Sequence, residues 1–106
     1  MTKPLKEDSQ TEFKSSFNDG VIESISAFAN SKGGRVLVGV ADDGQPIKSF
    51  SLGDETFQKW VNEIKNKTQP SIIPDVKIIE LGGVRVGELT VSEFPIKPVA
   101  FKGRYY

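Results

Sequence analysis

The amino-acid sequence predicts an α+β fold, in which two helices pack on a mixed β-sheet. Residues 21–29 and 57–64 each carry apolar side chains at the spacing of an amphipathic helix. Between them, residues 35–40 begin with Arg35 and continue as an apolar run rich in β-branched side chains, which is typical of a strand buried on both faces. Two further apolar runs flank Gly82-Gly83, a two-residue hairpin signal. This order of helices and strands predicts one α+β domain.

The first predicted strand spans residues 10–14 and begins a single domain that extends over residues 10–106. Residues 1–9 are polar and predict an N-terminal arm ahead of it. Because side chains alternate along a strand, we expect Phe13 to face inward and Glu12 and Lys14 to face the opposite side.

The first helix is predicted to begin at a cap supplied by Asn18 or Asp19. Gly33 suits the left-handed backbone that follows a helix, where a β-carbon would clash. After the buried strand, Asp42-Asp43-Gly44 predicts a turn. Residues 45–48 then predict an edge strand, because the proline they contain is tolerated at an edge.

The second helix is predicted to begin at Asp54, which can cap it. Residues 76–81 and 84–91 predict the two strands of the hairpin. The apolar phase slips in the middle of the second strand, which predicts a bulge at Gly87. A last strand is predicted near residues 99–102. The core-facing stripe of the second helix consists of Phe57, Trp60, Val61 and Ile64.

Composition limits the chemistry that the chain can perform. It has no Cys and no His, which excludes disulfides, thiolate metal sites and the commonest general base. Any catalysis must rest on carboxylates, Lys, Ser, Thr or Tyr, or on an oxygen-ligated metal. Fourteen basic and fourteen acidic residues give a net charge of zero, which argues against a broadly basic nucleic-acid-binding face. A local basic patch remains open.

Neither a membrane partner nor secretion is predicted. No apolar run approaches the roughly 18 residues of a membrane span, and the N-terminus lacks the blocks of a signal peptide. We therefore expect a cytoplasmic protein. The chain stops at Tyr105-Tyr106 without turn or capping residues, from which we expect a longer protein whose C-terminal part is missing from this sequence.

The corner between the first helix and the buried strand, residues 30–35, is a candidate phosphate site. Its backbone N–H groups and Lys32 can hold a phosphate of a nucleic-acid backbone, with Arg35 adding positive charge. The alternative is structural: Asn30 ties down the loop and the glycines allow close packing, since a helix C-terminus presents carbonyls that repel anions. A nucleotide-binding loop is excluded, because Lys32 precedes Gly33-Gly34 and the glycines lie between helix and strand.

A second candidate contact lies near the end of the chain. Lys97, Lys102 and Arg104 alternate with aromatic residues, and no acid occurs from residue 94 onward. Such a segment can pair phosphates while its rings stack on bases. The alternative is an amphipathic edge strand with a basic outer face.

Several short motifs occur in a fixed order: Glu12-Phe13-Lys14, Ala27-Phe28-Ala29-Asn30, Gly33-Gly34, Gly39-Val40, Asp43-Gly44 and Lys97-Pro98. Together, over about residues 7–106, they resemble the Schlafen AlbA-type domain family. Its members are described as DNA-binding and often stand at the N-terminus of bacterial transcriptional regulators. The resemblance implies a nucleic-acid-interacting module, of DNA in the first instance, that contacts phosphates through a basic lip. The predicted nucleic-acid-binding residues are Lys14, Asn30, Lys32, Gly33, Gly34, Arg35, Lys97, Lys102 and Arg104.

The same resemblance implies an alternative enzymatic function. Schlafen relatives with ribonuclease activity hold a divalent metal with three carboxylates. Matched by motif, these positions are Glu7, Glu12 and Asp42, with Lys14 beside them. Glu7 and Glu12 fall on opposite faces of an ideal strand, so a bend near Ser9 is needed to bring them together. The alternative protein is thus a Mg²⁺- or Mn²⁺-dependent endoribonuclease.

We favour a binding module without a cofactor over this enzyme, because three solvated surface acids explain the same residues. A third possibility is a dimerisation or scaffold module that forms a homo-oligomer, which the neutral net charge favours. DNA and RNA are not distinguished by these residues.

Overall fold

A computed structural model of the chain describes residues 8–50, 52, 54–95, 99–101 and 104–105. Helices and strands of this part follow the predicted α+β order, so the predicted fold class is confirmed. Most of the predicted arm at residues 1–9 lies outside the described residues. In chain order the elements are β1 (Thr11–Lys14), α1 (Asp19–Ala29), β2 (Gly34–Val38), α2 (Asp54–Lys67), β3 (Thr68–Gln69), β4 (Asp75–Leu81), β5 (Val84–Val91), β6 (Ala100–Phe101) and β7 (Arg104–Tyr105).

The main sheet has four strands in the order β1-β2-β5-β4. β1 and β2 are parallel, whereas β2–β5 and β5–β4 are antiparallel, so the sheet is mixed. β2 is an interior strand, and Val36, Leu37 and Val38 are fully buried, as predicted for a strand covered on both faces. It ends at Val38 because Gly39 turns the chain with φ +99°. A smaller three-stranded sheet has the order β3-β6-β7.

Both helices contribute to one core on one face of the main sheet. Trp60 and Ile64 of α2 pack there with Val36 and Val38 of β2. The members contributed by α1 are Val21, Ile22, Ile25, Phe28 and Ala29. The opposite face carries a smaller apolar cluster of Phe13, Leu37, Val40 and Val86. The predicted alternation in β1 is therefore correct, with Phe13 facing away from the helices.

Side chains at the helix ends fix how the two helices meet. Asn18 caps α1, as predicted, by accepting a hydrogen bond from the N–H of Gly20 at 2.9 Å. Lys67, in the last turn of α2, donates to Asp19 Oδ1 at 3.0 Å. This hydrogen bond raises the pKa of Lys67 above its ordinary value of 10.5, against a smaller opposing effect of desolvation. The pair thus joins the C-terminus of α2 to the N-terminus of α1.

One of the two remaining local predictions of strand structure is wrong. Residues 45–48 form no edge strand; a single bridge joins Val40 and Pro46. Pro46 has no N–H to donate, and the loop is instead held by hydrogen bonds such as the one from Ile47 N to Gly39 O at 2.8 Å. The strand predicted near residues 99–102 is present as β6, which contains Ala100 and Phe101, and a further short strand, β7, follows it.

Gly87 does not form a bulge either. It pairs without interruption with Ile78 on one side and Val38 on the other. The apolar side chains of β5 change from one face of the sheet to the other along the strand. In its first half Val86 packs in the small cluster, and in its second half Leu89 packs in the core with the helices. Gly87 lies at the crossover, where an added Cβ would stand 2.8 Å from the ring of Trp60.

We expect Gly87→Ala to lower the free energy of unfolding by about 1–3 kcal/mol, because the new methyl group overlaps Trp60. Urea unfolding followed by circular dichroism measures the change. Combining Gly87→Ala with Trp60→Phe removes the obstructing ring atoms, so the double variant should lose less than the sum of the single losses. Strictly additive losses would contradict the assigned packing.

Candidate nucleic-acid interface

The α1–β2 corner uses its backbone amides within the fold. The N–H of Asn30 donates to Ser26 O at 3.0 Å, and the N–H groups of Ser31 and Gly33 donate to Phe28 O at 3.1 and 2.8 Å. These amides are therefore committed to the end of α1. Lys32 is exposed between them. At this corner the side chain of Lys32 is therefore exposed to a phosphate, whereas the N–H groups of Asn30, Ser31 and Gly33 already donate within the fold.

The two glycines of the corner allow close packing. Gly33 has φ +83°, as predicted, and an added Cβ would stand 2.8 Å from Val91 O. At Gly34 an added Cβ would stand 2.6 Å from the ring of Phe28. The corner therefore packs closely against both the end of β5 and the last turn of α1. This is the alternative, structural role of the glycines, which is to allow close packing.

The Asn30 side chain has a defined structural partner. Its Nδ2 donates to Val99 O at 2.9 Å, and its Oδ1 accepts a hydrogen bond from the N–H of Val99. This two-way pairing mimics a strand pair and holds the corner against the segment that leads into β6. The prediction that Asn30 ties down the loop is borne out by this geometry.

Arg35 lies beside a cleft of about 340 Å³ on the sheet face opposite the helices. Its Nη1 pairs with Glu88 Oε2 at 2.9 Å, and its Nε donates to Thr11 Oγ1 at 3.2 Å. The Arg35 side chain is 40% exposed but that of Glu88 only 16%, so the cation is the outer member of the pair. We call this site the Arg35 cleft; its lining residues are Asp8, Gln10, Thr11, Gly34, Arg35 and Thr90.

Lys14 lies away from Lys32 and Arg35. In the parallel β1–β2 pair, Thr11 is opposite Arg35 and Lys14 is opposite Val38. The Lys14 ammonium approaches Gly20 in the first turn of α1, whereas Lys32 follows the last turn. The 11 residues of α1 span about 16 Å, so the structure separates these predicted contacts.

Of the acids of the ribonuclease hypothesis, Asp42 lies toward the same end as Lys14, whereas Glu12 is opposite Val36 and next to the Thr11–Arg35 pair. Glu12 is half-buried in β1, and Asp42 is exposed in the predicted turn that follows β2. Glu7 lies outside the described residues. Within the described ranges, no group of three acids is placed to hold a metal ion.

The predicted C-terminal contacts fall largely outside the described part. This holds for Lys97 and Lys102. Arg104 belongs to β7, at the edge of the small sheet, and its backbone is opposite Phe101 of β6.

A basic cleft that the sequence analysis missed lies at the tip of the β4–β5 hairpin. Lys48 and Arg85 line this cleft, which has a volume of about 310 Å³. Both side chains belong to exposed residues. They come from segments far apart in sequence, and no motif links them, so only the folded arrangement brings them together. We call this site the Lys48 cleft; its lining residues are Lys48, Phe50, Leu52, Gly83, Val84 and Arg85.

Comparison with known proteins places this arrangement among related folds. The family model described as Schlafen, AlbA_2 matches residues 7–106, which confirms the predicted resemblance. No curated protein matches the chain. In the part of the chain that the structure describes, no helix is long and apolar enough to cross a membrane.

Two solved structures share the fold. The DIP2311 protein from Corynebacterium diphtheriae superimposes with a TM-score of 0.70 at 18% identity, over 96% of this chain and 21% of that protein. The N-terminal domain of an ATP-dependent DNA helicase RecG-related protein from Nitrosomonas europaea gives a TM-score of 0.62 at 21% identity, over 79% of this chain and 61% of that one. This chain thus spans less than two thirds of either structure. At these identities the likeness concerns the fold.

We expect Asn30→Ala to lower the free energy of unfolding by about 1–3 kcal/mol, because it leaves the backbone groups of Val99 without their partner. Urea unfolding measures the loss, and hydrogen exchange of the Val99 amide should accelerate. Ser92→Ala, at an exposed position, is the matched control and should leave both unchanged. An Asn30→Ala domain as stable as the control would argue against the structural role of Asn30.

Proposed function

The chain belongs to the Schlafen AlbA_2 family, and on this basis we propose that it is a nucleic-acid-binding module that contacts the phosphates of duplex DNA. Arg35 and Lys32 are the principal contacts. The observation that carries the proposal is the guanidinium of Arg35, oriented at the Arg35 cleft as the more exposed member of its ion pair. The name of one protein with the same fold, a DNA helicase RecG-related protein, is consistent with it. The module would belong to a bacterial transcriptional regulator.

An oriented guanidinium is well suited to phosphate. Arg presents a planar set of donors that can pair with two phosphate oxygens at once. Glu88 and Thr11 fix Arg35 through Nη1 and Nε, and no hydrogen bond joins its Nη2 to any described residue. A phosphate could therefore bind without first breaking the Arg35–Glu88 pair.

The polar groups around Arg35 are one acid, Asp8, whose carboxylate accepts a hydrogen bond from the N–H of Gln10, and several neutral side chains that favour backbone contacts over base reading. Gln10, Thr11 and Thr90 line the same cleft and can hydrogen-bond to phosphate or sugar oxygens. Lys32 adds an exposed charge from the neighbouring corner. Because the whole chain has no net charge, binding must depend on these few placed cations. We expect modest affinity and little sequence preference.

We expect Lys32→Ala and Arg35→Gln each to weaken duplex binding and to reduce the slope of log affinity against log salt by about 1. Fluorescence anisotropy of a labelled duplex, titrated at several salt concentrations without divalent metal, measures both quantities. Lys59→Ala is the charge-matched control, because Lys59 is exposed on α2 and lines neither cleft. Arg35→Gln removes an ion pair with Glu88, so circular dichroism is used to check that this variant folds. Lys32 is exposed, so Lys32→Ala tests the loss of charge alone.

Wild-type protein that binds no duplex even at low salt would contradict the proposed function. A stable dimer in the same samples would then favour the scaffold role, which the neutral net charge also fits.

A second candidate function, metal-dependent RNA cleavage, is favoured by one observation. Lys14 and Asp42 belong to the strand end and the turn at the carboxyl side of the parallel β1–β2 pair, where open α/β sheets commonly bind ligands, and Glu12 is two residues before Lys14 in β1. We place it second because Asp42 is an exposed turn residue, a position where Asp is favoured without a metal.

We accordingly expect no cleavage of a hairpin RNA by the wild-type domain in the presence of Mg²⁺ or Mn²⁺. Denaturing gel electrophoresis of an end-labelled RNA measures this. Cleavage that disappears in Glu12→Gln but persists in Glu63→Gln, a matched exposed acid on α2, would contradict the proposal and place the ribonuclease first.

A further inference from the structure

The Lys48 cleft has features that the proposed duplex contact does not explain. It lies at the other end of β2 from Arg35. Val38, the last residue of β2, is opposite Gly87 of β5. The β4–β5 hairpin extends beyond this point to its turn at Gly82 and Gly83. Two basic surfaces therefore lie at opposite ends of one buried strand.

The loop that carries Lys48 is held in place by its backbone. Ile47 N donates to Gly39 O at 2.8 Å, and Phe50 N donates to Ile47 O at 2.9 Å. The bridge between Val40 and Pro46 adds a further tie to the end of β2. Lys48 is thus presented from a turn whose backbone is fixed to the sheet, so binding there need not order the loop.

The two cations of the cleft are not neutralised by ion pairs. Among the described residues the ion pairs are Arg35–Glu88 and Lys67–Asp19, and neither involves Lys48 or Arg85. Glu80 is opposite Arg85 in the β4–β5 register, but no ion pair joins them. None of the described residues that line the cleft is an acid. Its charge is therefore available to an anionic partner.

The rest of the cleft is apolar and includes an aromatic ring. Phe50, Leu52 and Val84 line it between the two cations. The Phe50 ring is buttressed from below: an added Cβ on Gly39 would stand 2.6 Å from it, and the ring of Trp60 lies 6.4 Å away between centroids. A fixed aromatic surface flanked by cations is the combination that binds unpaired nucleotides, because the ring stacks on the base while the cations pair its phosphates.

We propose that the Lys48 cleft binds single-stranded nucleic acid, with Lys48 and Arg85 on the phosphates and a base against Phe50. A volume of about 310 Å³ suits one nucleotide and is at the small end of ligand sites. Duplex is the poorer occupant, because its bases are stacked on each other and present no free face to Phe50. This inference rests on the proposed nucleic-acid binding and adds a second, structurally separate contact to it.

The test compares two substrates, a short labelled oligo-dT and a labelled duplex, by fluorescence anisotropy with the whole chain. The double variant Lys48→Ala/Arg85→Ala should bind oligo-dT about tenfold or more weakly, with a salt slope reduced by about 2, and should leave duplex binding nearly unchanged. Phe50→Leu keeps an apolar side chain but removes the ring, and it should weaken oligo-dT binding by about fivefold or more. The charge-matched control is Lys59→Ala/Lys65→Ala, two exposed positions on α2 outside both clefts.

Three outcomes decide the inference. Loss of oligo-dT binding in the Lys48/Arg85 variant but not in the control supports it. Equal binding by that variant and the control overturns it, and the proposed function then stands if duplex binding still depends on Lys32 and Arg35. A wild-type chain that binds neither substrate overturns both. Because Lys48 and Arg85 are surface residues, their replacement tests binding without disturbing the core.

Discussion

Burial of β2 on both faces is the constraint on which the arrangement of this domain depends. Val36, Leu37 and Val38 have no exposed surface, so the sheet needs apolar cover on each side. The helices cover one side, and the cluster around Phe13 occupies the other. Charged side chains cannot enter either layer without partners, because burying an unpaired charge is costly. The Arg35 cleft and the Lys48 cleft lie toward the two ends of β2.

Glycines on the sheet connect the core to both of these ends. The ring of Phe28 from α1 lies against Gly34, that of Phe50 from the loop lies against Gly39, and that of Trp60 from α2 lies against Gly87. At each glycine an added Cβ would stand 2.6–2.8 Å from ring atoms, closer than side chains pack. The first contact fixes the corner that carries Lys32 and Arg35, and the second fixes the loop that carries Lys48. Core packing thereby sets the position of the candidate ligand contacts.

This arrangement explains which features could be predicted from sequence. The Asn18 cap, the hairpin at Gly82 and Gly83, and the buried strand depend on residues close in sequence, and these predictions are confirmed. The prediction of a bulge at Gly87 was wrong, because the change in the apolar pattern along β5 arises where Gly87 packs against Trp60, a residue of α2. The Lys48 cleft left no local signal, since Arg85 reaches it only after the hairpin folds beside the loop.

The two ends of β2 hold their cations differently, and this bears on what each can bind. Arg35 is oriented by a more buried carboxylate, so its charge is partly balanced and its donors have fixed directions, whereas Lys48 and Arg85 form no ion pair with described residues. β2 itself is about 16 Å long, and the Arg35 cleft is on the sheet face opposite the helices, whereas Phe50 packs on the helix side. The length of β2 alone equals about five phosphates of one strand, at about 3.4 Å each along the axis of a duplex. One nucleic acid that reached both ends would meet a backbone-reading site at one and a base-stacking site at the other, and would have to change from paired to unpaired between them.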